Sequence, residues 1–197
     1  MKKQLITLIS LVIGTYAISS EPNLSHASKE WQIWAYSSAA PDFLGAKATI
    51  MSPTNELLRE GTNGWTCMAG NPRPMPSNGW NDRHHAMPAC ADKQSMKWMA
   101  AWMGQTTPQL DHDGFMWMLH GDVGEDNTTP MVLNKSDAKD PSQWIESGPH
   151  LMLMPKDPQT IANHTTDFTL GAPYVMFPGS IYAHLMIPLE GYYAYHD

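Results

Sequence analysis

Methionine and histidine are the side chains in this sequence with the most evident chemistry, 15 and 9 of them in 197 residues. Three histidines lie in short apolar stretches. Residues 114–120 read GFMWMLH, residues 149–154 read PHLMLM and residues 181–187 read IYAHLMI. Side chains two apart share one face of a strand. Met116, Met118 and His120 therefore fall together, as do His150, Met152 and Met154, and His184 with Met186. The first two stretches run in opposite order, so antiparallel pairing in register brings His120 and His150 to one end of a sheet. His184 joins them if its strand runs parallel to that of His150. Three imidazoles with nearby thioethers suit copper, and three imidazoles alone suit zinc. The candidate metal ligands are thus His120, His150, His184, Met152 and Met186. A plainer reading stands beside this one. Leu151, Leu153, Leu185 and Ile187 make the opposite faces apolar too, and in strands buried on both faces methionine is an ordinary filler.

Other chemistry is sparse. There is no Gly-x-Ser-x-Gly elbow, no phosphate-binding glycine loop and no His-Glu-x-x-His, so no catalytic residue is assigned. Asp122, Glu125 and Asp126 do not follow the spacing of a calcium loop and read as a solvated surface loop. Asp111-His112-Asp113-Gly114 reads as a turn into a strand. Arg83, His84 and His85 are neighbours in a loop. Adjacent side chains diverge, so His84 and His85 read as exposed.

The positions of these residues depend on a framework that begins with the chain's first segment. Lys2 and Lys3 precede the apolar run Leu5–Ile18, which is shorter than the ~20 residues of a spanning helix. Small residues offer cleavage after Ala17 or after Ala27, so residues 1–27 read as a signal peptide. The expected location is the periplasm or the extracellular space, with no stable membrane insertion after cleavage. Residues 28–197 then form a single domain. Cys67 and Cys90 are the only cysteines, and in an exported chain an even count reads as a disulfide. A loop of this length is worth about 3 kcal/mol on the chain-entropy model. With 12 basic and 19 acidic residues and no basic stripe, nucleic acid is excluded as an expected partner.

The fold expected is α+β, mainly β: an antiparallel or mixed sheet of five to seven strands, one main helix packed on it and one disulfide. Residues 28–44 read as an entry arm ending at Pro41-Asp42. Residues 46–51 and 56–60 read as a hairpin. Residues 69–88 carry Pro72, Pro74, Pro76 and Pro88 and read as a loop pinned by the disulfide and lying against the helix that follows. That helix spans 93–103, capped by Asp92 and stopped at Gly104, with Met96, Met99 and Met103 on one stripe and Trp98 and Trp102 beside it. Strands follow at 114–120, 149–154, 173–177 and 181–187, the last two as a hairpin around Pro178-Gly179.

Three segments carry a family resemblance. Gly61-Thr62-Asn63-Gly64-Trp65-Thr66-Cys67, Ser147-Gly148-Pro149-His150-Leu151-Met152 and Tyr182-Ala183-His184-Leu185-Met186-Ile187-Pro188 resemble an uncharacterised family of small exported bacterial proteins, over most of residues 31–191. The resemblance implies export and a single domain, and no activity. His150-Leu-Met-Leu-Met154 alone is similar to the His-x-Met segments of periplasmic copper chaperones. The functional expectation is an exported binding protein, for a transition metal (copper first) or a small apolar ligand. Two alternatives stay open. One is an extracytoplasmic metal-dependent enzyme. The other is a structural, carbohydrate- or protein-interaction domain that uses its eight tryptophans and seven tyrosines.

Overall fold

The structure is a computed structural model in which residues 20–196 are described; the apolar run read as a signal segment and the cleavage position read after Ala17 lie outside them. Among the described residues no helix is long and apolar enough to cross a membrane. The expected entry arm is in fact two helices, α1 (Lys29–Ser37) and α2 (Asp42–Gly45). The Ser28 side chain accepts from the Trp31 N–H and so starts α1. Trp31, Ala35 and Ala39 then recur at a spacing of four and are all fully buried.

The hairpin follows as β1 (Thr49–Met51) and β2 (Leu57–Arg59), and then β3 (Thr66–Ala69). α3 (Arg83–Ala86) interrupts the expected loop, which ends in β4 (Pro88–Ala91). The next helix, α4 (Lys93–Met103), forms as its caps indicate, with the Asp92 carboxylate accepting from the Ser95 N–H and Gly104 at the C-cap. Beyond it come β5 (Gly114–Met118), the short pair β6 (Glu125–Asp126) and β7 (Trp144–Ile145), β8 (His150–Met154), β9 (Tyr174–Met176) and β10 (His184–Pro188).

Eight strands make one mixed sheet in the order β2-β1-β3-β4-β5-β8-β10-β9, and β6-β7 form a second, small sheet. Among the described strands only β1 and β3 pair in parallel. The sheet exceeds the expected five to seven strands because the cysteines sit inside a ladder. Cys67 and Cys90 are direct cross-strand partners of β3 and β4 and are disulfide-bonded, so both flanks are held in extended pairing.

One helix on one face was expected; both faces are covered. α4 covers the face that carries Met116, Met118, Met152, Met154 and Met186, with Trp98 and Trp102 packed onto them. α1 and α2 cover the other face at the β1-β3-β4 end, around Trp31, Tyr36, Ile50 and the disulfide. The body of residues 69–88 lies against α1, and Met87 near its end packs in the α4 cluster. Trp80 is buried in the α1 cluster, and its indole N–H donates to the Tyr36 hydroxyl at 3.2 Å.

Candidate functional site

The methionines of β5 and β8 fall on one face, but the register is two residues off the one that would set His120 opposite His150. The two strands pair antiparallel, with Met116 opposite Met152 and Met118 opposite His150. β10 adds Met186 opposite Met152. Met116, Met152 and Met186 therefore form a row of thioethers across three neighbouring strands.

The three histidines, however, do not converge. β5 ends at Met118 and the chain turns at once, the Gly121 N–H bonding the Met118 carbonyl at 3.1 Å. Strand alternation no longer governs His120. Its Nε2 lies 2.8 Å from the Ser38 hydroxyl, on the α1 side. Burial, with Arg83 close by, lowers its pKa to about 4. His184 is displaced for a different reason: β10 runs antiparallel to β8, not parallel. His150 opens β8 and pairs with Pro188, while His184 stands at the far end of β10, opposite Met176. Its ring packs edge-on between Trp98 and Phe177, its Nδ1 lies 3.0 Å from the Tyr182 carbonyl, and burial lowers its pKa to about 4. Among the described residues no three His, Cys, Asp or Glu side chains gather where they could hold one metal ion. The all-imidazole zinc arrangement is therefore not formed.

What does form is a cavity of about 80 Å³ between α4 and the sheet, large enough for more than one water. Eight of the 15 methionines line it: the row of three, with Met118 beside it, Met99 and Met103 from α4, and Met87 and Met176. His150, Asp122, Glu125, Trp98 and Trp102 complete most of the wall. Of the five metal candidates, His150, Met152 and Met186 line this cavity, and His120 and His184 do not.

His150 is fully buried. Its Nδ1 lies 2.7 Å from the Gly148 carbonyl, which can only accept, so Nδ1 carries the proton. Nε2 is then a bare lone pair, and no described residue is a hydrogen-bond partner for it. Burial pulls the His150 pKa down against the opposing influence of the Asp122 charge and the Gly148 bond, so the ring is held neutral.

The acidic loop departs most from its sequence reading. Asp122 and Asp126 are buried, and Glu125 lines the cavity. The Ser147 hydroxyl donates to Asp122 and lies 3.4 Å from His150 Nδ1, and the Gly124 N–H donates to Asp122 at 3.0 Å. Burial and the Asp122 charge push the Glu125 carboxyl up, and Arg73 pulls it back. Gly121 makes this packing feasible. Its φ is +68°, and a Cβ there would meet the Ser147 carbonyl oxygen at 1.9 Å. The sequence signal available for Asp122 was its place directly after a buried strand, between Gly121 and Gly124.

The other candidates serve packing. His84 lies 2.8 Å from the His120 carbonyl and 3.0 Å from Glu146, and its ring stacks on Tyr195, so it is partly buried rather than exposed. His85 is bonded to Asp82 at the surface. Asp111 takes Lys97 and Gln94. None of the eight tryptophans is exposed, so they form no open stacking row. The chain matches no protein-family model, no curated protein and no solved structure.

Proposed function

We propose that this chain is an exported binding protein for a soft monovalent metal ion, cuprous copper first. His150 Nε2 and the thioethers of Met118 and Met152 hold the ion in the methionine-lined cavity. The observation that carries the reading is the buried Nε2 of His150, which has no hydrogen-bond partner among the described residues, on a ring that belongs to the methionine-rich wall of the cavity. An unmade hydrogen bond of this kind costs about 1–3 kcal/mol, and a bound cation removes that cost. Met118 is the cross-strand neighbour of His150 and Met152 is the next residue on its face, so one imidazole and two thioether side chains are neighbours on one face of the sheet. That donor set suits Cu(I). Zinc calls for four harder ligands, and Cu(II) for several nitrogens or oxygens. The Gly148 carbonyl fixes the tautomer as an outer partner of a metal-bound imidazole does. The buried Asp122 supplies negative charge against the ion's positive charge.

Export belongs to the same reading. The signal-like first segment and the resemblance to exported proteins support it. The disulfide takes both cysteines, which leaves thioether and imidazole as the soft donors in an oxidising compartment.

The test is an anaerobic titration of untagged protein with Cu(I) against a chromophoric Cu(I) chelator. One ion per chain is expected. His150→Ala should weaken binding at least 100-fold with an unchanged circular dichroism spectrum. Absence of stoichiometric binding, or a folded His150→Ala chain that binds as its parent does, overturns the proposal.

A further inference from the structure

The cavity's methionines differ in how far solvent reaches them. Met103 is 55 % exposed, Met99 is half-buried, and the sheet residues Met116, Met118, Met152 and Met186 are buried. Met103 is the last residue of α4, and Met99 lies one turn before it on the same face. Both line the cavity that His150 lines. A descent of thioethers thus runs from the helix end at the surface to the buried face of the sheet.

We infer that Met103 and Met99 are the entry port of the cavity, receiving Cu(I) from a donor at the surface and passing it inward to the sheet thioethers and His150. The inference rests on the cuprous reading above. Each step exchanges one ligand: a bond from copper to an incoming thioether sulfur forms as the bond to the outgoing ligand breaks. The ion stays Cu(I) throughout, and no electron or proton moves. A soft ion favours this path over the carboxylate wall residue Glu125, which is partly buried and whose oxygen is a hard ligand.

A port speeds arrival and departure alike. Removing it slows loading and unloading by the same factor and leaves Kd unchanged, which loss of a holding ligand does not do. Leucine keeps the volume and helix preference of methionine and removes only the sulfur donor.

The experiment is anaerobic rapid mixing of the protein with Cu(I) supplied as its acetonitrile complex, followed by the quenching of tryptophan emission, of which Trp98 and Trp102 in the cavity wall are the sources nearest the ion. Unloading is read with excess chelator. The double variant Met99→Leu/Met103→Leu should load and unload at least tenfold more slowly, with Kd within about twofold of the parent. Glu125→Gln should load at the parent rate. Parent-like rates in the methionine variant overturn the port, as does a Kd that rises while the loading rate holds, or slowing by Glu125→Gln alone. If His150→Ala loses binding while the methionine variant loads normally, the cuprous site stands and the port fails. If the parent binds no Cu(I), both fail.

Discussion

His150 and Met118 are direct cross-strand partners, the first residue of β8 against the last of β5. This pairing sets a buried imidazole and a methionine side chain next to each other on one face, at the point where β5 stops and the chain turns into Asp122. Met152 follows on the same face, opposite Met116. If these side chains hold Cu(I), each thioether contributes to affinity separately from its packing. Met118→Leu and Met152→Leu should each weaken Cu(I) binding about 10- to 100-fold. Their cost in stability should stay under about 1.5 kcal/mol, because the swap nearly conserves volume. Met75→Leu, at the edge of the α1 cluster, should change neither. Chelator competition and urea unfolding on the same samples separate the two effects. Equal affinity in all three variants would remove the thioethers from the site.

The parts of this arrangement that could be read in the sequence are local ones. The alternation in 114–118 and 150–154 sets faces within a strand. The Asp92 cap and the Gly104 stop bound α4 within one residue. The antiparallel pairing of β5 with β8 stood in the sequence only as a condition, and its register, which sets Met118 rather than His120 opposite His150, has no local mark. The partner direction of β10 has no local mark either, and it moved His184 away from His150. His120 was lost to a turn that begins two residues before it. Strand β4 was concealed because it is short and opens with Pro88. Asp122 and Glu125 were read as solvated from their charge alone. The burial of Asp122 depends on Gly121 and on Ser147, 25 residues further along the chain.

The signal-peptide reading left two cleavage sites, and contacts of residues 21–26 favour the earlier one. Cutting after Ala27 would remove Glu21 and His26, which hold Trp31 in place. The Trp31 indole N–H donates to Glu21 at 2.9 Å, and the His26 ring stacks on Trp31 at 4.3 Å. His26 Nδ1 also lies 2.6 Å from the Trp80 carbonyl. Without these residues a fully buried tryptophan loses its partner and its cover. Export should therefore yield a chain beginning at Ile18. Intact-mass measurement of the secreted protein checks this, and a chain beginning at Ser28 would refute it. A chain engineered to start at Ser28 should unfold at lower urea, by about 2 kcal/mol.

Buried histidines also set the pH dependence of the fold. His120 and His184 have folded-state pKa values lowered to about 4 from an ordinary 6.5, chiefly by burial. His150 is lowered as well, with burial the largest cause. Between pH 6.5 and 4 the unfolded chain binds protons that the folded chain does not. Stability from these groups is thus complete above pH 6.5 and is lost as pH falls toward 4. For His120 and His184 the loss is on the order of 3 kcal/mol each. Glu125 has the opposite sign. Its raised pKa contributes stability that is complete below the ordinary carboxyl range and is lost as pH rises through the folded value. Through the acid range the histidines outnumber it, so the net slope there follows them. Urea midpoints should fall steeply from pH 6.5 to 4.5, and His184→Gln should flatten that limb. The ring protons of His184, followed by NMR in the folded protein, should not shift until the pH approaches 4. A His184 that titrates near 6.5, or a midpoint that stays level down to pH 4.5, would show that burial does not hold these rings neutral.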